Sequence, residues 1–294
     1  MTRHPLPLPV LAALLGVALL SLMDGLMKGA SLLVGAYTAA LLRVVLGVML
    51  VAPLWWLRGG RWPERAVLRV HLLRGAVASI MGLTFFYALT KLPLAETIAI
   101  SFVAPVISLY LAAIFLKEAI RREAIIAAVL GLLGTVVIVG GKFGREPMGE
   151  DALLGLAAIL FSALLYAFNL VIARHQAQLA RPLEISTFHS GVGALVLVVA
   201  APWLLRMPNQ DALLLIAGSS VLTVIGMVAL AWAYAREETQ VLVPMEYSGF
   251  LWASLFGWLF FRESIAAATL FGTALIVVGC WIAARRQEPE QMVV

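Results

Sequence analysis

Apolar residues along this 294-residue chain gather into runs of about twenty, each closed by charged or turn-forming residues. The runs fall at 8–27, 34–57, 70–90, 94–116, 123–141, 152–173, 185–205, 212–234, 241–261 and 265–284. A helix rising about 1.5 Å per residue needs about twenty apolar residues to cross a hydrocarbon core of about 30 Å. The pattern therefore predicts ten transmembrane helices and leaves no length for a soluble domain. Arg3 ahead of the first run is reminiscent of a secretory signal, but Asp24, Lys28 and another span follow, so the run is expected to be kept as the first helix.

Composition supports the same class. Hydrophobic residues make up 63% of the chain and charged ones 13%, with a mean hydropathy of +1.00, whereas soluble domains carry about 25% charge. The net charge of +5 sits in short turns and never builds a patch beside aromatics, which argues against nucleic acid as a partner. Its distribution instead reports topology. With the N-terminus inside, Arg3, Arg58, Arg61, Arg65, Arg69, Lys117, Arg121, Arg122, Arg174, Arg181, Arg236, Arg285 and Arg286 lie on the cytoplasmic side. Lys28, Lys91, Lys142, Arg145, Arg206 and Arg262 lie outside. A multi-pass protein of the cell (inner) membrane with both termini cytoplasmic is expected. Cys280 is the single cysteine, so neither an intramolecular disulfide nor a thiolate metal site can form, and no cofactor or metal is expected.

The segment GKFGREPMGED at 141–151 divides the spans five and five. The halves are weakly alike. YALTKLPLAETIAISFVAPVISLYLAAIFLKE from Tyr87 aligns with YAREETQVLVPMEYSGFLWASLFGWLFFRE from Tyr234 if two residues are dropped, and GTVVIVGG from Gly134 matches GTALIVVG from Gly272. A unit of five spans is odd, so its second copy enters the membrane upside down. Residues 1–141 are then the first repeat, 142–151 the connection and 152–294 the second repeat with a short tail. Inverted repeats around a midplane site are a transporter signature, because rocking one copy against the other exposes the site to each side in turn.

On these residues, with Pro105 and Glu118 in the first half and Pro244, Glu246, Tyr247, Trp252 and Glu263 in the second, the chain resembles the drug/metabolite transporter superfamily and its EamA-type ten-helix exporters. The repeat's proline is displaced: Phe250 stands opposite Pro105, and Pro244 comes six residues earlier. The resemblance implies an all-α integral membrane protein whose two inverted five-helix repeats enclose a central cavity, with spans five and ten peripheral. It implies export of small organic solutes. Amino acids, including aromatic ones, come first; uptake or exchange of another metabolite, nucleoside-like such as S-adenosylmethionine or a drug-like cation, is the alternative, and a channel a remote one.

Polar groups within the spans mark the candidate site. An ionisable group at the bilayer centre costs about 2.5–3.5 kcal/mol on insertion scales and so faces protein or a wet cavity. Glu246 shares a face with Gly249, Ala253 and Gly257, about 8 Å from the cytoplasmic boundary. It is either a hydrogen-bonded structural acid or a substrate- or proton-binding group. Arg43 keeps its charge and must find a partner. Its small-residue stripe of Ala36, Ala39, Ala40 and Gly47 faces protein, and either structural pairing or a substrate carboxylate would serve. Asp24 has Lys28 at i+4 for a local ion pair, and Arg74 is expected to snorkel as an anchor.

Ser101, Tyr166, Asn169 and His189 line inner walls, His189 as a proton relay or a hydrogen-bonded packing residue. Tyr87, Tyr166, Trp232, Tyr247 and Trp252 are candidates to stack on a solute or to sit in the interfacial belt, where Trp55, Trp56, Trp203 and Trp281 are assigned. Glu118 and Glu263, beside Lys117 and Arg262, read with Asp24, Lys28, Pro105 and Pro244 as helix-end or gate residues.

An intramembrane enzyme needs a nucleophile with its base or a metal cluster. Four histidines, no HExxH and no paired aspartates supply neither. The expected partners are a small-molecule substrate, the lipid bilayer and, as a candidate, protons. A monomer or weak homodimer is expected, with span ten, or span five with Gly131, Thr135, Gly140 and Gly141, as the oligomer face.

Overall fold

The computed structural model describes residues 8–104, 107–108, 111, 122–143, 149–234, 236, 245 and 248–284. Among these, every regular element is a helix: α1 Leu8–Val34, α2 Ala36–Leu57, α3 Arg65–Lys91, α4 Leu94–Ser101, α5 Arg122–Phe143, α6 Glu150–Leu179, α7 Pro182–Val198, the short α8 Ala201–Leu204, α9 Gln210–Tyr234, α10 Gly249–Phe261 and α11 Ala267–Ala284. Leu8–Val34, Ala36–Leu57, Arg65–Lys91, Glu150–Ala173 and Gln210–Leu230 are each long and apolar enough to cross a membrane. The chain is an all-α integral membrane protein, its outward surface dressed in side chains such as Leu132, Leu195 and Leu251 that water would not tolerate in such density.

Several helices overrun their apolar runs. α1 continues through Asp24 and Lys28 to Val34, because both polar residues turn inward and Lys28 is buried. Only Gly35 separates α1 from α2. Its φ of 86° lies in the left-handed region that glycine enters freely, so one residue reverses the chain. α6 likewise runs to Leu179, and Glu150 and Asp151 in its first turn suit the positive end of the helix dipole. α7 opens on Pro182, where a missing N–H costs nothing.

Helix packing follows an internal two-fold. α2 packs on α7, α4 on α10 and α5 on α11, each against its counterpart in the other half, while α1 packs on α9 and α3 on α6, an exchanged pair. The axis is visible at α5–α11. A Cβ on Gly134 would lie 2.5 Å from Gly272 O and from Ile276 Cγ1, and one on Gly272 would lie 2.5 Å from Gly134 O and from Ile138 Cγ1. Such reciprocity is what a two-fold contact requires. Lipid offers no hydrophobic drive between helices, so close backbone approach carries the association. Gly134, Gly141 and Gly272 of spans five and ten are thus occupied within one chain, while Gly140 faces open space.

Candidate functional site

Three polar sites lie between these helices. The first is central. Ala40, Arg43 and Val44 of α2, Ala78, Ser79, Gly82 and Leu83 of α3, and His189 and Leu197 of α7 surround a small cavity of about 10 Å³. Small residues set the spacing: a Cβ on Gly47 would lie 3.0 Å from Ser190 Oγ, one on Gly193 3.0 Å from Ser79 Oγ, and one on Gly75 2.6 Å from Val192. The Arg43 guanidinium sits 5.3 Å from the centre of the Phe86 ring. Its Nε is buried without a hydrogen-bond partner, as is Nδ1 of His189. Asp24 of α1 lies within electrostatic reach of Arg43, and His189 within reach of both Arg43 and Arg74. Sites for drug-sized ligands span about 300–1,000 Å³. The cavity here has room for about one water molecule, so admitting an organic solute requires the helices to move.

The second site lies at the inner end, named after the charge bias, and the sequence reading overlooked it. Arg74 of α3 donates from Nε to Asn169 Oδ1 of α6 at 3.2 Å and from a terminal nitrogen to Gln176 Oε1. Gln176 Nε2 lies 2.6 Å from His71 Nδ1, and His71 Nε2 lies 3.1 Å from Glu184 Oε1 on α7. Phe188 stacks on the imidazole at 4.7 Å and is itself flanked edge-on by Trp55 and Trp62. Arg74 is therefore not a snorkelling anchor but the centre of a buried bridge between α3 and α6. Trp55, assigned to the belt, turns inward against Phe188, whereas Trp56 and Trp203 remain exposed. His71 and Arg74 at i, i+3, Asn169 and Gln176 at i, i+7, and Glu184 and Phe188 at i, i+4 each form a helix-face pair. That spacing was the available signal.

The third site closes the outer end. Lys28 of α1 forms an ion pair with Glu263, just beyond α10, and donates to Leu92 O at 2.7 Å; Glu263 Oε2 accepts the Leu94 N–H at 2.7 Å, capping the start of α4. The Phe261 ring lies 5.1 Å from the ammonium. Arg262, at φ 54°, reverses the chain after α10 and brings Glu263 back over Gly257. The sequence matched Lys28 with Asp24 and Glu263 with Arg262. Instead, the ion pair joins the two halves, and Arg262 lies 5.9 Å from the Trp258 ring centre.

The remaining candidates scatter. Ser101 Oγ donates to Ile98 O at 2.7 Å, and Tyr166 packs beside Ala104, Ala163 and Ala167. Trp252 stacks on Phe256 at 6.2 Å. Tyr87 is exposed, as is Trp232, whose ring lies 4.2 Å from the Arg236 guanidinium carbon in the manner of a belt residue. Pro105, Glu118, Pro244, Glu246 and Tyr247 lie outside the described residues.

The EamA-like transporter family matches residues 7–140 and again residues 153–285. The chain belongs to the EamA-like transporter family. The two matched segments correspond to the halves whose helices pair across the internal two-fold. Among curated relatives, this EamA-like transporter is 29% identical over 278 residues to a pseudopaline exporter of Pseudomonas aeruginosa, covering 92% of this chain and 94% of the relative. A riboflavin transporter of Brucella anthropi is 24% identical, with coverages of 79% and 82%. An S-adenosylmethionine uptake transporter of Rickettsia bellii is 25% identical, with coverages of 71% and 69%. A solved crystal structure matches with a TM-score of 0.63 at 19% identity, covering 94% of this chain and 96% of its own, a likeness of fold alone. The chain is a small-molecule transporter, not an enzyme.

Proposed function

We propose that the chain is a secondary transporter that exports small organic solutes, amino acids including aromatic ones foremost, by alternating access across the inner membrane with both termini cytoplasmic. The observation that carries this reading is the central pocket at the junction of the two halves, where Arg43 Nε and His189 Nδ1 are buried without partners beside Ser79. An unpaired guanidinium N–H in a low-dielectric space favours a carboxylate, and a charge-assisted hydrogen bond of that kind is worth about 1.5–3 kcal/mol. The Phe86 ring beside the Arg43 guanidinium places an aromatic face next to this pocket, which suits a flat apolar side chain. In this reading Glu246 and Tyr247 complete the cavity, and Lys28 with Glu263 gates its outer side.

A metabolite screen of cells overproducing the chain tests the direction and the class. Export predicts amino acids accumulating outside and tolerance to toxic amino-acid analogues. Accumulation inside the cells of a nucleoside-like metabolite would favour uptake, the reading that the S-adenosylmethionine relative supports.

A further inference from the structure

The buried chain at the inner end fixes its own proton positions. Arginine carries only donors, so the amide oxygen of Gln176 must face Arg74 and its Nε2 must face His71. A donor 2.6 Å from Nδ1 makes that nitrogen the acceptor. Neutral imidazole has one N–H, which therefore sits on Nε2 and points at Glu184 Oε1, 3.1 Å away. A second proton finds no opening, since the ring is fully buried, roofed by Phe188 and blocked at Nδ1 by the amide. Turning the amide over would offer its oxygen to Nδ1–H but set an NH₂ against the guanidinium. The charged and titratable groups around the ring are few among the described residues. They are Arg74 on its own helix and Glu184 from α7; α6 brings the neutral Gln176 and Asn169, with the Tyr166 hydroxyl near Arg74.

We infer that His71 is a proton-binding site whose occupancy is tied to the separation of α6 from α3, with Gln176 as the lock and Glu184 as the counter-charge. When α6 withdraws, Gln176 leaves Nδ1, water enters and a hydronium ion passes its proton to the nitrogen, and the imidazolium is held through Nε2–H by the Glu184 carboxylate. One O–H bond of the hydronium breaks as the N–H bond forms, and water is left behind. Closing the helices again restores the amide at Nδ1 and expels the proton. Glu184, whose side chain is 18% exposed, stands at the aqueous edge of this site. The inference rests on the transport reading above, since it supplies the ion whose gradient would drive that transport.

Nitrogen-15 spectra of histidine-labelled protein in nanodiscs test the site without a substrate, with His71→Gln assigning the resonance. The expected signal for native His71 is a neutral imidazole with its single proton on Nε2; ordinary histidine acquires its charge between pH about 8 and about 5.5. Gln176→Ala, which uncovers Nδ1, is expected to let the same resonance become imidazolium in that range. A proton on Nδ1 in the native protein, or a Gln176→Ala spectrum that does not titrate, overturns the proposal. Proteoliposomes loaded with L-phenylalanine supply the second readout. A gradient of about one pH unit drives about tenfold accumulation per coupled proton. His71→Gln is expected to lose that accumulation while keeping counterflow, and accumulation at the native level overturns the proposal. Absence of L-phenylalanine counterflow in the native protein would count against the proposed substrate class, while the spectra still decide the proton site.

Discussion

Replacing Lys28 by Met should unfasten the outer end while leaving the stem of the side chain in place. Lys28 is 7% exposed and Glu263 16%, so the pair is largely withdrawn from water. Removing one partner of a buried pair costs about 3–5 kcal/mol, because the other charge is left behind. Glu263 retains the Leu94 N–H and some solvent access, which favours the lower end of that range. A net penalty of about 3 kcal/mol against the closed arrangement follows. If opening the outer side breaks these contacts in any case, the penalty falls on the closed state alone and shifts the equilibrium about a hundredfold toward open. The assay is the rate at which a membrane-impermeant maleimide, added outside, labels a cysteine at Ala95, a buried position one residue past the capped Leu94, in a Cys280→Ala background. Lys28→Met should label about a hundred times faster, and adding Glu263→Gln, which removes the stranded charge, should recover most of the native rate. Native-rate labelling of the single variant, or equal rates in the single and double variants, would refute the reasoning.

Arg43→Gln should raise KM for carboxylate-bearing solutes about 10–100-fold in proteoliposomes, with a smaller effect from Arg43→Lys; an unchanged KM would remove Arg43 from substrate contact. Gly134→Leu places a side chain against Gly272 O and Ile276 and should destabilise α5–α11 by about 1–3 kcal/mol, read as a lower Tm in detergent, whereas Leu132→Ala on the lipid face should stay near native. Glu246→Gln should fold normally and alter flux or its pH dependence; a native pH profile would reduce this acid to a structural group.

The ten-span pattern was legible because lipid imposes length and polarity on every helix at once. Helix ends were less legible: α1 and α6 continue beyond the first charged residue, since Lys28 and Gln176 are satisfied by partners rather than by water. The duplication was readable in the two Gly-Thr runs, which meet at Gly134 and Gly272. Partner choice was not. Lys28 and Glu263 are 235 positions apart, and only the fold brings the end of α10 to α1. His71, Gln176 and Glu184 each sit at a helix end where a polar residue normally faces the aqueous boundary, so their helix-face spacing alone did not separate a buried hydrogen-bonded chain from a wet terminus.

The central claim is a carrier whose interior pocket opens to one side at a time, and solute counterflow in proteoliposomes tests it most directly. Vesicles preloaded with unlabelled L-phenylalanine should transiently concentrate external labelled L-phenylalanine, with a rate that saturates and that Arg43→Gln suppresses. A flux that rises linearly with concentration, shows no trans-stimulation and carries ionic current would mean a pore, and would contradict the account.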